Sequence, residues 1–549
     1  MRGAKVLALA LLAAPACRAP SPAPADDPPA VVVGERLFLE TRFAQFFAAN
    51  GGGDPNRPLV AGDPTLDMLE TTAGPRPSPF AGKSMSCRVC HLVDESPDPD
   101  TTGTRTYADF ATHSPIPDRG DGRTHTPRNS PPLVNASLAR DDNFFLHFDG
   151  EFPSAEDLVV GTYTGRNFGW LATERAQAIA HIAGVIRADD GTDPLALPCY
   201  GLSYSTILAG TAPEIPETCR LPEVLHIDVN AATDEDVVRG AAAVVAAYMR
   251  ALAYQQDADT RYIGSPFDRF LILNGLPRLP DTGESAIDYA RRLRAALAAP
   301  KLLDNPSVLA FEHHDQAFAF DAEALAGLRI FLAEPAAAGA PTADEIAAGG
   351  IGNCIACHAP PHFTDYAFHN NGVAQADYDG VHDAGAFAAL AIPTLAERQA
   401  APATFLPPSA LYPTGIGPFL AAPSAAAPGR TDLGVWNVLG NDAIPGSQAT
   451  LIATLGRATG VTDVAQLLPL AIARFKTAGL RDLGQSPPYF HTGGAADLDA
   501  AVRHYVTTSA AARAASLRNG DPELLRVAIT ADDVTALTAF LRALNEDYD

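Results

Sequence analysis

The sequence predicts an all-α fold of two related helical domains carrying large loop insertions, and three observations predict it. Helical periodicity recurs along the 549 residues, whereas the period-two alternation of strands is scarce. One short cysteine motif occurs twice, at 87–91 and 354–358, each time after a similar helical approach: Gly34-Glu35-Arg36-Leu37-Phe38 before the first copy, Leu328 to Leu332 with Phe331 before the second. The stretches around 45–80, 190–230, 274–320 and 384–430 are rich in Pro, Gly and Ala and read as insertions, which places many of the 47 prolines and 44 glycines. Length alone suggests about three or four domains. The repeated motif reduces that to two, at 34–265 and 326–549, with 266–325 as an insertion or linker.

Taken in order, the chain opens with Arg2 and Lys5, an apolar run from Val6 to Leu12, and small residues ending in Ala14-Pro15-Ala16-Cys17. Residues 1–17 thus have the pattern of a secretory signal peptide, too short to span a bilayer. Small residues before Cys17 also resemble a bacterial lipoprotein cleavage box. Cys17 is therefore either a lipid-anchored N-terminus or part of a plain secretion leader, and both readings place the protein in the periplasm. The Pro/Ala-rich stretch 18–33 reads as a tether. With Arg2 and Lys5 removed from the 39 basic residues, 37 face 64 acidic ones, so the balance moves from −25 to −27. No basic block could track a phosphate backbone, which excludes nucleic acid as a partner.

Six further cysteines follow. Cys87-Arg88-Val89-Cys90-His91 and Cys354-Ile355-Ala356-Cys357-His358 are both C-x-x-C-H, the pattern of covalent c-type haem attachment. Two thiols at this spacing reach the two vinyl groups on one edge of a porphyrin, while the adjacent histidine swings under the ring to bind iron. A zinc site does not need the trailing histidine twice, and a thioredoxin-type dithiol lacks it. Two c-type haems follow, with His91 and His358 as proximal ligands. Cys199 and Cys219 read as a disulfide closing a Pro-rich loop. Thr233-Asp234-Glu235-Asp236 has the form of a capping box opening a helix through Tyr248 to Tyr254, which closes the first domain. Thr530 to Asp533 opens a last helix with Val534, Leu537, Leu541 and Leu544 on one face.

The segments around these motifs resemble the bacterial dihaem cytochrome c peroxidase family, including its MauG-type members that oxidise protein side chains. The matching residues are Thr126-Pro127-Arg128-Asn129-Ser130-Pro131 with Leu133-Val134-Asn135, and Phe148-Asp149-Gly150 with Pro153-Ser154. In the second half they are Gly352-Asn353, Phe363-Thr364-Asp365, Phe368-His369-Asn370, Phe475-Lys476-Thr477, Leu480-Arg481, and Pro488-Tyr489-Phe490-His491 with Gly493. The resemblance implies two cytochrome c-like haem domains, the first meeting peroxide and the second receiving electrons. It also implies a Ca²⁺ ion between them, held by the Asn129 side chain and the Ser486 and Pro488 carbonyls, oxygen donors suited to that cation.

The remaining ligands are read against the same resemblance. Family members often ligate the second haem with a methionine, yet Met1, Met68, Met85 and Met249 are the only methionines and none follows Cys354. The family position falls on Tyr505, where MauG-type enzymes place a ligating tyrosine; Leu498, Ala501, Val502 and Tyr505 share one helical face and His504 points away. Tyr505 as a packed core aromatic is the alternative. At the first haem, the family's distal Glu and Gln correspond to Phe168 and Leu158, and its inter-haem Trp to Phe148. Glu151, Arg128 and His147 are the candidates for acid-base work, with Arg166 nearby. His113 or His125 is a candidate distal ligand, each with a surface-loop role as its alternative. Trp170 and Trp436 are relay candidates or plain core residues.

These readings imply an exported dihaem cytochrome that reduces hydrogen peroxide with electrons from a small redox protein, a cytochrome c or a cupredoxin. Two rivals remain: MauG-type oxidation of a partner protein's side chain, which a Tyr505 ligand favours, and a non-catalytic electron carrier or redox sensor, which the missing Glu and Gln favour. The acidic surface favours donors with basic faces.

Overall fold

The structure, a computed structural model, describes residues 27–71, 74–77, 82, 84–91, 113–138, 144–297, 309–311, 318–336 and 339–547. The leader, Cys17 and most of the tether lie outside the described residues. Helices dominate; the strands form two short antiparallel pairs, Met68–Thr71 with Gly74–Pro77 and Phe368–His369 with Phe475–Lys476. No helix among the described residues is long and apolar enough to cross a membrane.

The two halves are built on the same crossing. In the first, helix Pro29–Phe38 packs against Asp234–Ala251, whose Thr233 N-cap accepts the Asp236 N–H. A side chain at the crossing is impossible, because a Cβ on Gly34 would stand 2.6 Å from the Val244 carbonyl and from Tyr248 Cβ. In the second, helix Ala322–Phe331 packs against Val534–Arg542, and a Cβ on Gly327 would fall 1.9 Å from the Ala536 carbonyl. Each glycine is followed four residues later by a buried phenylalanine, Phe38 or Phe331. The two helical approaches seen in the sequence are therefore one structural device used twice. The capping box at Thr530 forms with Asp533, and a 3₁₀ turn at Ala531–Asp533 precedes the final helix.

Three stretches read as tether or insertion carry packed elements. The first helix starts at Pro29, because Val31 and Val33 are apolar enough to be buried in the first core. The described part of 266–325 is not all loop: helices Pro266–Leu273 and Ala286–Ala296 contribute Phe267, Phe270, Tyr289 and Leu293 to the second core beside Phe331, Phe363 and Phe540. Nor is 384–430 surplus. Phe387 and Phe419 join Trp436, Leu451 and Leu467 in a third buried cluster, which also takes in Phe145 from the first half. The disulfide Cys199–Cys219 is formed, with Cα atoms 5.7 Å apart, inside the 190–230 loop.

Candidate functional site

Both C-x-x-C-H motifs fold alike. Cys87–Val89 and Cys354–Ala356 are 3₁₀ turns, closed by the His91 N–H on the Cys87 carbonyl at 3.0 Å and the His358 N–H on the Cys354 carbonyl at 2.7 Å. None of the four cysteines enters a disulfide. His358 Nδ1 donates to the Phe363 carbonyl at 2.9 Å, which leaves Nε2 as the nitrogen available for a metal.

The second motif opens into a cavity of about 270 Å³ lined by Cys354, Cys357, His358, Phe331, Val502 and Tyr505 among others. Helix Leu498–Arg513 carries Tyr505 into it. His504, one residue earlier, is turned off the cavity and bonds the Asn371 carbonyl through Nε2 at 2.9 Å. Burial, with the nearby thiols adding, pushes the Tyr505 hydroxyl up to about 12, while an Asn371 amide bond at 3.4 Å opposes this. Two thiols, a histidine with Nε2 free and a phenol around one apolar cavity fit a covalently held haem with Tyr505 on its lining.

At the first motif, Cys87 and Cys90 are buried and burial pushes His91 down to about 4, with His147 adding to the effect. The chain directly after it, 92–112, is outside the described residues. His147 Nδ1 meets Glu151 Oε2 at 3.1 Å, so two of the acid-base candidates are paired with each other, and Asp149 lies between them in a three-residue cluster. Arg128 is held between two carboxylates. Its buried guanidinium grips Asp149 at 2.6 Å and Asp432 at 2.5 and 2.9 Å, joining the first half to the third core. Arg166 is likewise bound, to Asp121 through two contacts of 2.8 Å. Phe168 packs against Tyr163 with ring centroids 5.2 Å apart and Leu158 against the first core, so neither brings a polar group to the first motif.

His113 and His125 separate clearly. His125 is exposed and bonds Thr124 Oγ1 at 3.0 Å, whereas His113 has a buried Nε2 without a hydrogen-bond partner and is held below its usual range by burial. Its neighbour Ser114 reaches both Ser130, at 2.5 Å, and the Cys90 thiol. Trp170 is buried with Nε1 donating to the Phe43 carbonyl at 3.1 Å, and Trp436 is buried under Arg398. Both act as core residues. Between the halves, Phe148 stands 6.4 Å from His491, which stacks on Phe475 at 3.5 Å.

The residues named for calcium do come together. Asn129 N–H donates to the His491 carbonyl at 2.8 Å and its side-chain Nδ2 to the Pro488 carbonyl at 2.6 Å, while its Oδ1 accepts the Ser130 N–H. Asn129, Ser486 and Pro488 also line the cavity of the second motif. One cluster escaped the sequence reading. His369 is clamped between Asp365 at 2.8 Å and Asp521 at 2.7 Å beside Cys357; burial lowers it, but the Cys357 thiol first and then the two carboxylates hold it well above the usual imidazole range. The i, i+4 spacing of Asp365 and His369 was a visible signal; the third member, 152 residues on, was not.

No protein-family model matches the chain, and no curated protein matches it. Solved structures do. A MauG-like protein associated with microbial copper homeostasis is similar at 16% identity and TM-score 0.40, over 97% of this chain and 95% of that one. The diheme peroxidase BthA from Burkholderia thailandensis is similar at 15% identity and TM-score 0.41, over 95% and 88%. A tyrosine-to-methionine variant of that peroxidase is similar at 16% and 0.42, over 95% and 87%.

Proposed function

We propose that the protein is a periplasmic dihaem c-type oxidoreductase that reduces hydrogen peroxide with electrons from a small cytochrome or cupredoxin bearing a basic face. The observation that carries this reading is the pair of like-folded C-x-x-C-H turns, one of them opening on an apolar cavity shared by His358 and Tyr505. Bound haem supplies the redox chemistry; the chain supplies what surrounds it. His91 and His358 are the proximal imidazoles, and the Phe363 carbonyl orients the second. His113 Nε2, buried and unpartnered one residue from Ser114, is the group that holds or releases a proton near the first attachment turn. The His147–Glu151 pair supplies a second proton path. Asn129 with the Pro488 and Ser486 carbonyls would hold Ca²⁺ between the halves once the Asn129 amide turns its oxygen toward Pro488. Cys17 is the proposed lipid anchor if the leader is of the lipoprotein kind.

Tyr505 in the second cavity favours a second reading, MauG-type oxidation of a partner protein, because a phenolate ligand stabilises oxidised iron better than a thioether does. One experiment separates the readings. The protein is expressed with c-type haem maturation, and its haem content is measured together with peroxide turnover using a reduced small cytochrome, in wild type and Tyr505→Phe. Two haems per chain, rapid donor oxidation and a second-haem spectrum altered by Tyr505→Phe are expected. Absence of turnover with both haems six-coordinate in every redox state would leave electron carriage alone.

A further inference from the structure

The junction behind the second attachment turn holds a tyrosine whose hydroxyl is shared with an imidazole. Tyr262 is buried, at 3% exposure, and its Oη lies 2.8 Å from His362 Nδ1 with the two rings perpendicular. Asn135 Nδ2 donates to the same oxygen at 3.0 Å. With the Asn135 and Gln256 side chains both bonding that oxygen, the phenol's own proton goes to the imidazole in the tautomer that leaves Nδ1 bare. Burial raises the Tyr262 hydroxyl, so the proton rests on the phenol. Tyr163, Tyr289 and Tyr489, also buried, donate to the carbonyls of Leu37, Pro277 and Leu483, groups that cannot take a proton, and Tyr204 donates to the Glu40 carboxylate at 2.9 Å in the first core, away from the second attachment turn.

A phenol hydrogen-bonded to a base is far easier to oxidise than an isolated one, because the electron and the proton leave together and no buried radical cation is formed. The site is also wired to the second attachment turn. His358 Nδ1–H bonds the Phe363 carbonyl at 2.9 Å, the Phe363 amide is joined covalently to His362, and His362 Nδ1 meets the phenol. This is one continuous path of bonds and hydrogen bonds from the proximal imidazole to Tyr262. The Arg481 guanidinium lies 3.8 Å over the Tyr262 ring and would oppose the loss of an electron. Its charge is met by Asp268 through two bonds of 2.9 and 3.0 Å, which largely cancels that opposition.

We propose that Tyr262 is a redox-active tyrosine that holds one oxidising equivalent, with His362 as its proton acceptor. This rests on the peroxide reading above. Hydrogen peroxide takes up two electrons and two protons to give two molecules of water. One of those electrons comes from Tyr262 along the path through His362, Phe363 and His358, the other comes from the electron donor protein, and both protons are drawn from solvent, while the phenol proton moves to His362 Nδ1. Tyr262 is left a neutral phenoxyl radical and His362 an imidazolium; the electron donor protein restores the electron and the proton returns. Tyr254, whose ring centroid is 6.5 Å away, extends the path by one aromatic step.

The test is rapid-freeze electron paramagnetic resonance of the haem-loaded protein after peroxide, with ordinary and ring-deuterated tyrosine. A radical signal that narrows with deuteration is expected. Tyr262→Phe, which keeps the ring under Arg481, should lose it while the haem optical spectra stay unchanged. His362→Gln, which keeps a hydrogen bond but takes no proton, should also lose it. A tyrosine signal that persists in Tyr262→Phe, a wild-type yield in His362→Gln, or haem oxidation with no tyrosine signal would overturn the assignment. If peroxide does not oxidise the haems, the functional reading fails, and flash oxidation by a photogenerated ruthenium(III) complex then decides Tyr262 alone: a Tyr262-dependent radical supports it and none overturns it.

Discussion

Arg128 shows how a residue that looks catalytic in sequence can be spent on structure. A guanidinium beside a haem-attachment motif is a reasonable partner for peroxide, but this one is buried between Asp149 and Asp432, which take three of its five N–H groups and all of its charge. The carboxylates differ in kind. Despite the cost of burial, Arg128 and the Gly434 N–H hold Asp432 below the usual carboxylate range, whereas burial holds Asp149 above it, with Glu151 adding its charge. Asp432 therefore contributes stability above its ordinary range and loses it as pH falls through the lowered value. Arg128→Met should strand two buried charges and cost about 3–5 kcal/mol at neutral pH. Thermal unfolding followed against pH checks this: the variant should recover part of its loss as the medium is acidified and the stranded carboxylates protonate, opposite to the wild type.

At the level of elements, the paired helix crossings are the clearest case of a short-range pattern with a long-range cause. Gly34 and Gly327 each admit a neighbouring backbone that no Cβ could tolerate. Gly184, in helix Arg175–Ala188, has nothing within 4 Å of its would-be Cβ. Gly327→Ala should therefore destabilise by roughly 1–3 kcal/mol through overpacking, while Gly184→Ala should stabilise by up to about 1 kcal/mol through helix propensity. Denaturant unfolding of the two variants gives opposite signs if the crossing is as described. The contrast also marks what was legible. The haem turns, the disulfide pair, the Thr233 and Thr530 caps and the face that carries Tyr505 all depend on spacings within about a dozen residues or on chemistry that permits one reading. The helix Ala286–Ala296 was legible too, through Ser285, Asp288 and the run Tyr289, Leu293, Leu297, but it was masked by the Pro and Gly around it. The third core was not legible. Its members Phe145, Phe387, Phe419 and Trp436 come from Pro-punctuated loops with no shared period, so only tertiary packing assembles them.

Across the whole molecule, the two halves are joined by buried polar contacts. Arg128 reaches Asp432, Tyr254 Oη donates to the Arg481 carbonyl at 3.1 Å, and the Gln255 N–H donates to Glu546 Oε2 at 2.9 Å. The last of these ties the end of the first domain to residue 546, and it is the one set to respond on the alkaline side. Glu546 is 1% exposed, packed against Gly264, and its Oε1 has no hydrogen-bond partner. Burial, with Asp482 and Asp268 adding their charges, pushes its carboxyl up to about 8, and the Gln255 N–H and then Arg481 oppose this only in part. A carboxyl with a raised folded value contributes most below its ordinary value of 4.5, and that stability is lost as pH rises toward about 8. The junction should therefore loosen on the alkaline side, by up to roughly 5 kcal/mol if the whole shift is realised. Glu546→Gln keeps the shape and the acceptor for Gln255 but cannot ionise. Its melting temperature should stay level over the interval in which the wild type falls, and hydrogen exchange at the Gln255 amide should follow the same difference. A wild-type melting temperature that does not fall across that interval would mean that Glu546 ionises freely and that the junction is held by Arg128 and Tyr254 instead.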